Sequence, residues 1–211
     1  MFLKQNKAHF VSGTAIAVLV CGLATVPMLA QSKPGAMPNS SASTNQPSSV
    51  AGSDGSDTAL QNQINDQQFV RKALEGGAAE VQLGQLAQQK SASDDVKQFA
   101  QKMVDDHTQL DKEIEPIAKQ LEVKEPNGPS KKDKQLIAKL EGLSGAQFDE
   151  EYIRAMVKDH KDDLKEFKDE AQMTQNPNVR RAAMEGATVI SAHLQQIQQI
   201  AQSHNVEASS K

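Results

Sequence analysis

The sequence predicts an all-α protein: an antiparallel four-helix bundle with a short extra helix in the crossover between the second and third long helices. Three observations lead there. Apolar residues recur at three- and four-residue spacing through four long stretches, the turns within each pair of stretches are short, and aromatics make up only 3% of a chain with no Trp and one Tyr. A core of Leu, Ile, Val, Met and Ala suits closely packed helices better than a β-sandwich, whose strands draw on aromatic and β-branched residues. A repeat points the same way, because Met103-Val104-Asp105-Asp106-His107 returns as Met156-Val157-Lys158-Asp159-His160. Ser93 to Ala100 likewise resembles Asn176 to Ala183, so the second helical pair repeats the first.

Residues 1–30 read as an export signal: Lys4 and Lys7 open it, an apolar run from Val11 to Leu29 follows, and small residues allow cleavage after Ala30 or, alternatively, Ala24. The run is also nearly long enough to span a bilayer, so an uncleaved anchor is the competing reading. Cys21 lies in this run behind the bulky Val20, which suits a packing residue of a discarded peptide better than a lipidation site. The mature chain would then hold no thiol, which excludes disulfides and thiolate ligation. Residues 31–65 are dominated by Ser, Pro, Gly, Asn, Gln and Ala, and are expected to form a disordered linker. Such a tether suits association with a membrane or cell wall through the N-terminal segment, although a leader without a role reads the same way.

The bundle is expected over 66–205, with a tail at 206–211. Helix one starts near Asp66 and carries Phe69, Ala73, Gly77, Glu80, Val81, Gly84 and Ala87 on one side. Glycine costs about 1 kcal/mol against alanine inside a helix, so Gly77 and Gly84 on that side imply a neighbouring backbone passing close by. Helix two opens at Ser93, with Asp94 and Asp95 in the first turn where the helix dipole favours carboxylates. Its inner side runs from Val96 and Phe99 to Ile117 and Leu121, and Pro116 should kink or loosen its last turns. After a Pro/Gly connection, Ser130 caps the short helix, about Lys131 to Leu143. Ser144 and Gln147 form a capping box for helix three, which carries Phe148, Tyr152, Met156, His160, Leu164 and Phe167 inward. Asn176-Pro177 stops that helix and opens helix four, whose inner side holds Val179, Ala182, Gly186, Ile190, His193, Ile197 and Ile200.

At about 100° per residue, His107, His160 and His193 fall within the apolar arcs of three helices, Glu80 falls within that of helix one, and Asp163 lies one turn after His160. Burying ionisable groups without partners is costly, so these five should meet. Counted from the turns, their levels differ by roughly 5 Å, one helical turn. A mixed imidazole and carboxylate cluster could bind one Fe, Mn or Zn ion. The competing reading is a set of His-Asp pairs and buried waters that fixes the register of the bundle. Asp106 and Asp159, at the edges of their arcs, are expected to face water, with orienting the adjacent helix as the alternative, and Glu75 is expected to point away from the core. Met103 and Met156 are expected in the core.

The net charge of -4, without a Lys/Arg cluster, excludes nucleic acid as a partner. No nucleophile arrangement, glycine-rich phosphate loop or zinc-protease motif is visible, so no catalytic residue is assigned and a non-enzymatic role is the better expectation. No protein partner is indicated by the residues.

Phe69-Val70, the run Glu75 to Gly84, Phe99 to His107, Tyr152 to His160 and His193 closely resemble the exported bacterial proteins grouped as domain of unknown function 4142. The resemblance covers about Asp66 to Ala201 and implies a ferritin-like bundle of the periplasm or outer membrane, with no established activity. Ferritin-like di-metal proteins use a carboxylate on helices one and three and a Glu-x-x-His on two and four. Glu80, Asp163, His107 and His193 match part of that set. Val104 and Ile190 stand where the two bridging glutamates would be, so one ion, or none, fits better than a di-iron centre. Two functions remain open: a binding or structural envelope protein connected with stress, or a metal-binding or redox protein built on Glu80, His107, His160, Asp163 and His193.

Overall fold

The computed structural model describes residues 54–207, which form five helices and no strand: α1 (Asp54–Lys90), α2 (Asp94–Gln120), α3 (Lys131–Glu141), α4 (Gly145–Met173) and α5 (Pro177–Ser203). The expected signal and its alternative cleavage points, Cys21, the linker up to residue 53 and the last four residues lie outside the described residues. Helix α1 packs along α2 and α4 along α5; the two pairs meet through α2 with α5 and α1 with α4, and α3 lies against α1 and α4.

The apolar spacing of the sequence decides which faces are buried. One cluster gathers Leu83, Phe99, Met103, Phe148, Tyr152, Met156 and Ile197, and a second gathers Phe69, Val70, Ile114, Ile117 and Val179. Fully burying a side chain such as Phe99 contributes roughly 1.5–3 kcal/mol. Within the first cluster Phe148 and Tyr152 stack at 5.6 Å, while Phe99 meets Tyr152 edge-on at 6.4 Å.

Several local expectations change. Helix α1 reaches back to Asp54 rather than beginning near Asp66, so the segment from 54 to 65 is helix and not linker. It adds little core, since Leu60 and Ile64 are exposed, and continues a helix that is nucleated further along. At α2 the chain runs helically through Pro116 to Gln120. Ser130 and Asn176 cap α3 and α5 through their side chains, but Ser93 and Ser144 make no side-chain cap bond. The Ser93 hydroxyl is taken by Asp95. Ser144 is followed by Gly145 at φ 61°, a left-handed residue that prevents the capping-box geometry from forming. At the other end, the Val206 amide bonds the Ala201 carbonyl at 2.9 Å and its side chain packs on the first cluster, so the fold extends past the expected tail boundary.

Candidate metal centre

Each of the four long helices contributes one inward ionisable residue to a common point. Glu80 comes from α1, His107 from α2, His160 from α4 and His193 from α5, and all four are at most 3% exposed. The three imidazoles surround one another, with ring centroids 5.3 Å apart for His107 and His193, 5.6 Å for His160 and His193, and 6.1 Å for His107 and His160. One nitrogen from each ring lies within 4.8 Å of one from each of the others. Phe99 backs His160 and His193 at 6.2 and 6.1 Å.

Every ring has one nitrogen held and one without a hydrogen-bond partner. The Met156 carbonyl can only accept, so His160 donates to it from Nδ1 at 3.0 Å and its Nε2 carries the lone pair. His193 meets the Asp106 carboxylate through Nε2 at 2.7 Å, leaving Nδ1. His107 Nδ1 lies 2.9 Å from Glu80 Oε2, leaving Nε2. The unpartnered buried atoms on these four residues are accordingly His107 Nε2, His160 Nε2, His193 Nδ1 and Glu80 Oε1, the last of these 3.5 Å from His160 Nε2. A buried polar atom left without a partner costs about 1–3 kcal/mol, so four of them on neighbouring residues call for a ligand that would satisfy them.

Burial sets the protonation. It pushes each of the three histidines down to about 4, against the opposing pull of nearby carboxylates, so all three rings are neutral near pH 7. Burial also acts on Asp106, but hydrogen bonds from Lys102 and His193 outweigh it and hold that carboxyl below its usual range. It is therefore an ionised acceptor for His193. Glu80, away from water, is pushed up to about 8 despite His160 beside it.

Asp163 is not among the imidazoles. Its carboxylate joins those of Glu80 and Asp159, with one oxygen of each within 4.8 Å of the others. Burial and the neighbouring Glu80 push Asp163 up to about 9. The five residues expected around one ion thus divide into two groups that share Glu80. Of three further acids here, Asp106 and Asp159 were expected to face water rather than to orient a neighbouring helix, and Asp111 was assigned no part by sequence. Asp106 orients His193. Asp159 joins the carboxylate group. Asp111, pushed up to about 6 by burial, lines the adjoining cavity beside Gly77. The signal available for the first two was their position directly before His107 and His160 in the repeat. Glu75 pairs with Arg71 at 3.1 Å.

Imidazole nitrogens whose far side is fixed by a carboxylate or carbonyl are the usual arrangement around a bound transition metal, because the outer partner sets tautomer and ring orientation. The residues fit a divalent ion that prefers nitrogen, such as Zn, Cu, Ni or Fe.

The family model described as a domain of unknown function, DUF4142, matches residues 50–200. No curated protein matches the chain. Two solved structures share the fold: a DUF305 fragment from Deinococcus radiodurans, 15% identical with a TM-score of 0.59, covering 66% of this chain and 96% of that one; and a DUF305 protein from Streptomyces coelicolor described as secreted, 12% identical with a TM-score of 0.60, covering 70% and 96%.

Proposed function

The chain belongs to the family of domain of unknown function DUF4142, and from that premise we propose that it is an exported metal-binding protein which holds a divalent first-row transition ion on His107, His160 and His193. The reading is binding rather than turnover, within an antiparallel four-helix bundle whose α3 fills the crossover. Export is supported by the signal-like residues 1–30 and by the secreted relative of similar fold. No helix among the described residues is long and apolar enough to cross a membrane.

One observation carries the proposal. Three buried imidazoles on three helices each keep one nitrogen without a partner, and nitrogens of all three lie within 4.8 Å of one another. Neutral rings bring the lone pairs without a proton to displace. Zn–N bonds of about 2.0–2.1 Å to rings on three helices would tie α2, α4 and α5 together. Binding should therefore stabilise the fold by mass action, by about 2.7 kcal/mol when free ion is a hundredfold above Kd. Glu80 and Asp106 act from behind, orienting His107 and His193.

Elemental analysis of protein purified from its own envelope, followed by melting with and without chelator, tests this. The expected result is a near-stoichiometric transition metal, a melting temperature that chelator lowers, and a His160→Ala variant that is metal-free and indifferent to chelator. Identical melting of wild type in Zn2+ and in chelator would leave the three histidines as register pins only.

A further inference from the structure

The carboxylate group beside the histidines is a site in its own right. We infer that Glu80, Asp159 and Asp163 bind a second, oxygen-preferring divalent cation in the cavity between α1 and α4, adjoining the proposed imidazole site and sharing Glu80 with it.

Acidic residues gathered at a surface would not carry this, but here the cluster is built inward. Glu80 is 3% exposed, and its Oε1 has no hydrogen-bond partner. One oxygen from each of the three carboxylates lies within 4.8 Å of the other two. That spacing matches a shared cation, since Ca2+–O bonds of about 2.3–2.6 Å allow oxygens up to roughly 5 Å apart across the ion. All three line a cavity of about 330 Å³, which also contains His107. Its walls carry seven carboxylates against two lysines. Lys72 pairs outside the three, with Glu166 at 3.0 Å, and Lys132 touches only one of them, reaching Asp159 at 3.7 Å. Glu80 and Asp163 have no Lys or Arg ion-pair partner among the described residues.

The donor sets separate the two ions. Three imidazoles select a nitrogen-preferring metal, whereas three carboxylates with room for water select Mn2+, Mg2+ or Ca2+. Glu80 meets both groups: Oε2 lies 2.9 Å from His107 Nδ1 and Oε1 3.5 Å from His160 Nε2, while one of its oxygens is within 4.8 Å of those of Asp159 and Asp163. Loss of Glu80 should thus weaken both sites, while loss of Asp159 or Asp163 should weaken only the second.

Mn2+ is the probe, followed by electron paramagnetic resonance in full-length protein previously loaded with Zn2+. Wild type should take up one Mn2+, displaced by excess Ca2+ or Mg2+. Asp159→Asn and Asp163→Asn should bind Mn2+ at least about tenfold more weakly, because fewer charged ligands lower the affinity of such sites, and should keep their Zn2+. His160→Ala should lose Zn2+ and keep Mn2+, so failure of the imidazole site and failure of this one give different results. Circular dichroism verifies that each variant is folded, and the competition in wild type needs no variant. No stoichiometric Mn2+ in wild type would overturn the inference. So would Asn variants that hold Mn2+ as wild type does, or that merely slow Zn2+ loading, which would make the cavity an access route.

Discussion

Asp106 accepts the Nε2–H of His193 at 2.7 Å, and its charge is kept by Lys102, one turn earlier on the same helix. It is thus the residue that decides which nitrogen His193 presents to the cluster. Asp106→Ala should leave a buried donor unsatisfied, lowering stability by about 1–3 kcal/mol, and should weaken Zn2+ binding about 10–100-fold. Chemical denaturation with a parallel metal titration checks both; unchanged Zn2+ affinity would remove Asp106 from the site. The inward histidines were legible in the sequence, because a polar residue on an apolar stripe reveals itself by helical spacing. The parts of Asp106 and Asp159 were legible only as an alternative to facing water, and the reason is geometric. A residue at the edge of its own arc points at solvent on a lone helix, but touches the neighbouring helix once two are packed together. Helical projection contains no neighbour. For the same reason Asp163, one turn from His160 and facing the same way, was placed with the imidazoles when its carboxylate lies with those of Glu80 and Asp159.

At the scale of an element, the two inward glycines of α1 show how sequence identifies a contact without identifying the atom that makes it. Both were expected to admit a close backbone. At Gly84 a Cβ would stand 2.8 Å from the Ala100 carbonyl oxygen and 2.8 Å from Val104 Cγ2, so here α2 backbone does pass close by. At Gly77 the obstacle is the Asp111 carboxylate, the end of a rotatable side chain. Gly84→Ala should therefore destabilise by about 1–2 kcal/mol, with overpacking against backbone exceeding the helix propensity gained. Gly77→Ala should be close to neutral, since Asp111 can turn aside. Thermal melts of the two variants decide the matter, and equal effects would contradict the distinction. The remaining helices were readable through their apolar stripes and through Asn176-Pro177. The start of α1 was not, since residues 56–65 bury almost nothing and so leave no periodic signal.

Across the whole molecule, α1 and the C-terminal end of α4 are joined by a second buried polar group, formed by Asp66, Glu170 and Thr174. Thr174 donates to Asp66 at 2.6 Å, and Glu170 is pushed up from its usual 4.5 to about 7 by burial and by a hydrogen bond shared with Asp66. A carboxyl raised in the fold stabilises it while protonated. Its contribution is full below about 4.5 and is lost as pH rises through about 7. Glu170→Gln should flatten the fall of stability between about pH 5 and 8 relative to wild type; parallel slopes in denaturant titrations would show that Glu170 does not link the two helices to pH. This group was invisible to the sequence reading, because Asp66 was taken as the beginning of the fold and the inward side read for the third long helix did not include Glu170. The all-helical class was legible because four apolar stripes and a repeat require it. How the polar groups divide between two neighbouring clusters depends on packing between helices.

The central claim is that three imidazoles, one each from α2, α4 and α5, can close on a single ion. X-ray absorption of the Zn2+-loaded protein tests it most directly. The account predicts a first shell of nitrogen at about 2.0–2.1 Å with the outer-shell scattering of three imidazoles, falling to two in His160→Ala if any metal is retained. A first shell of oxygen without imidazole scattering, unchanged by that substitution, would contradict it.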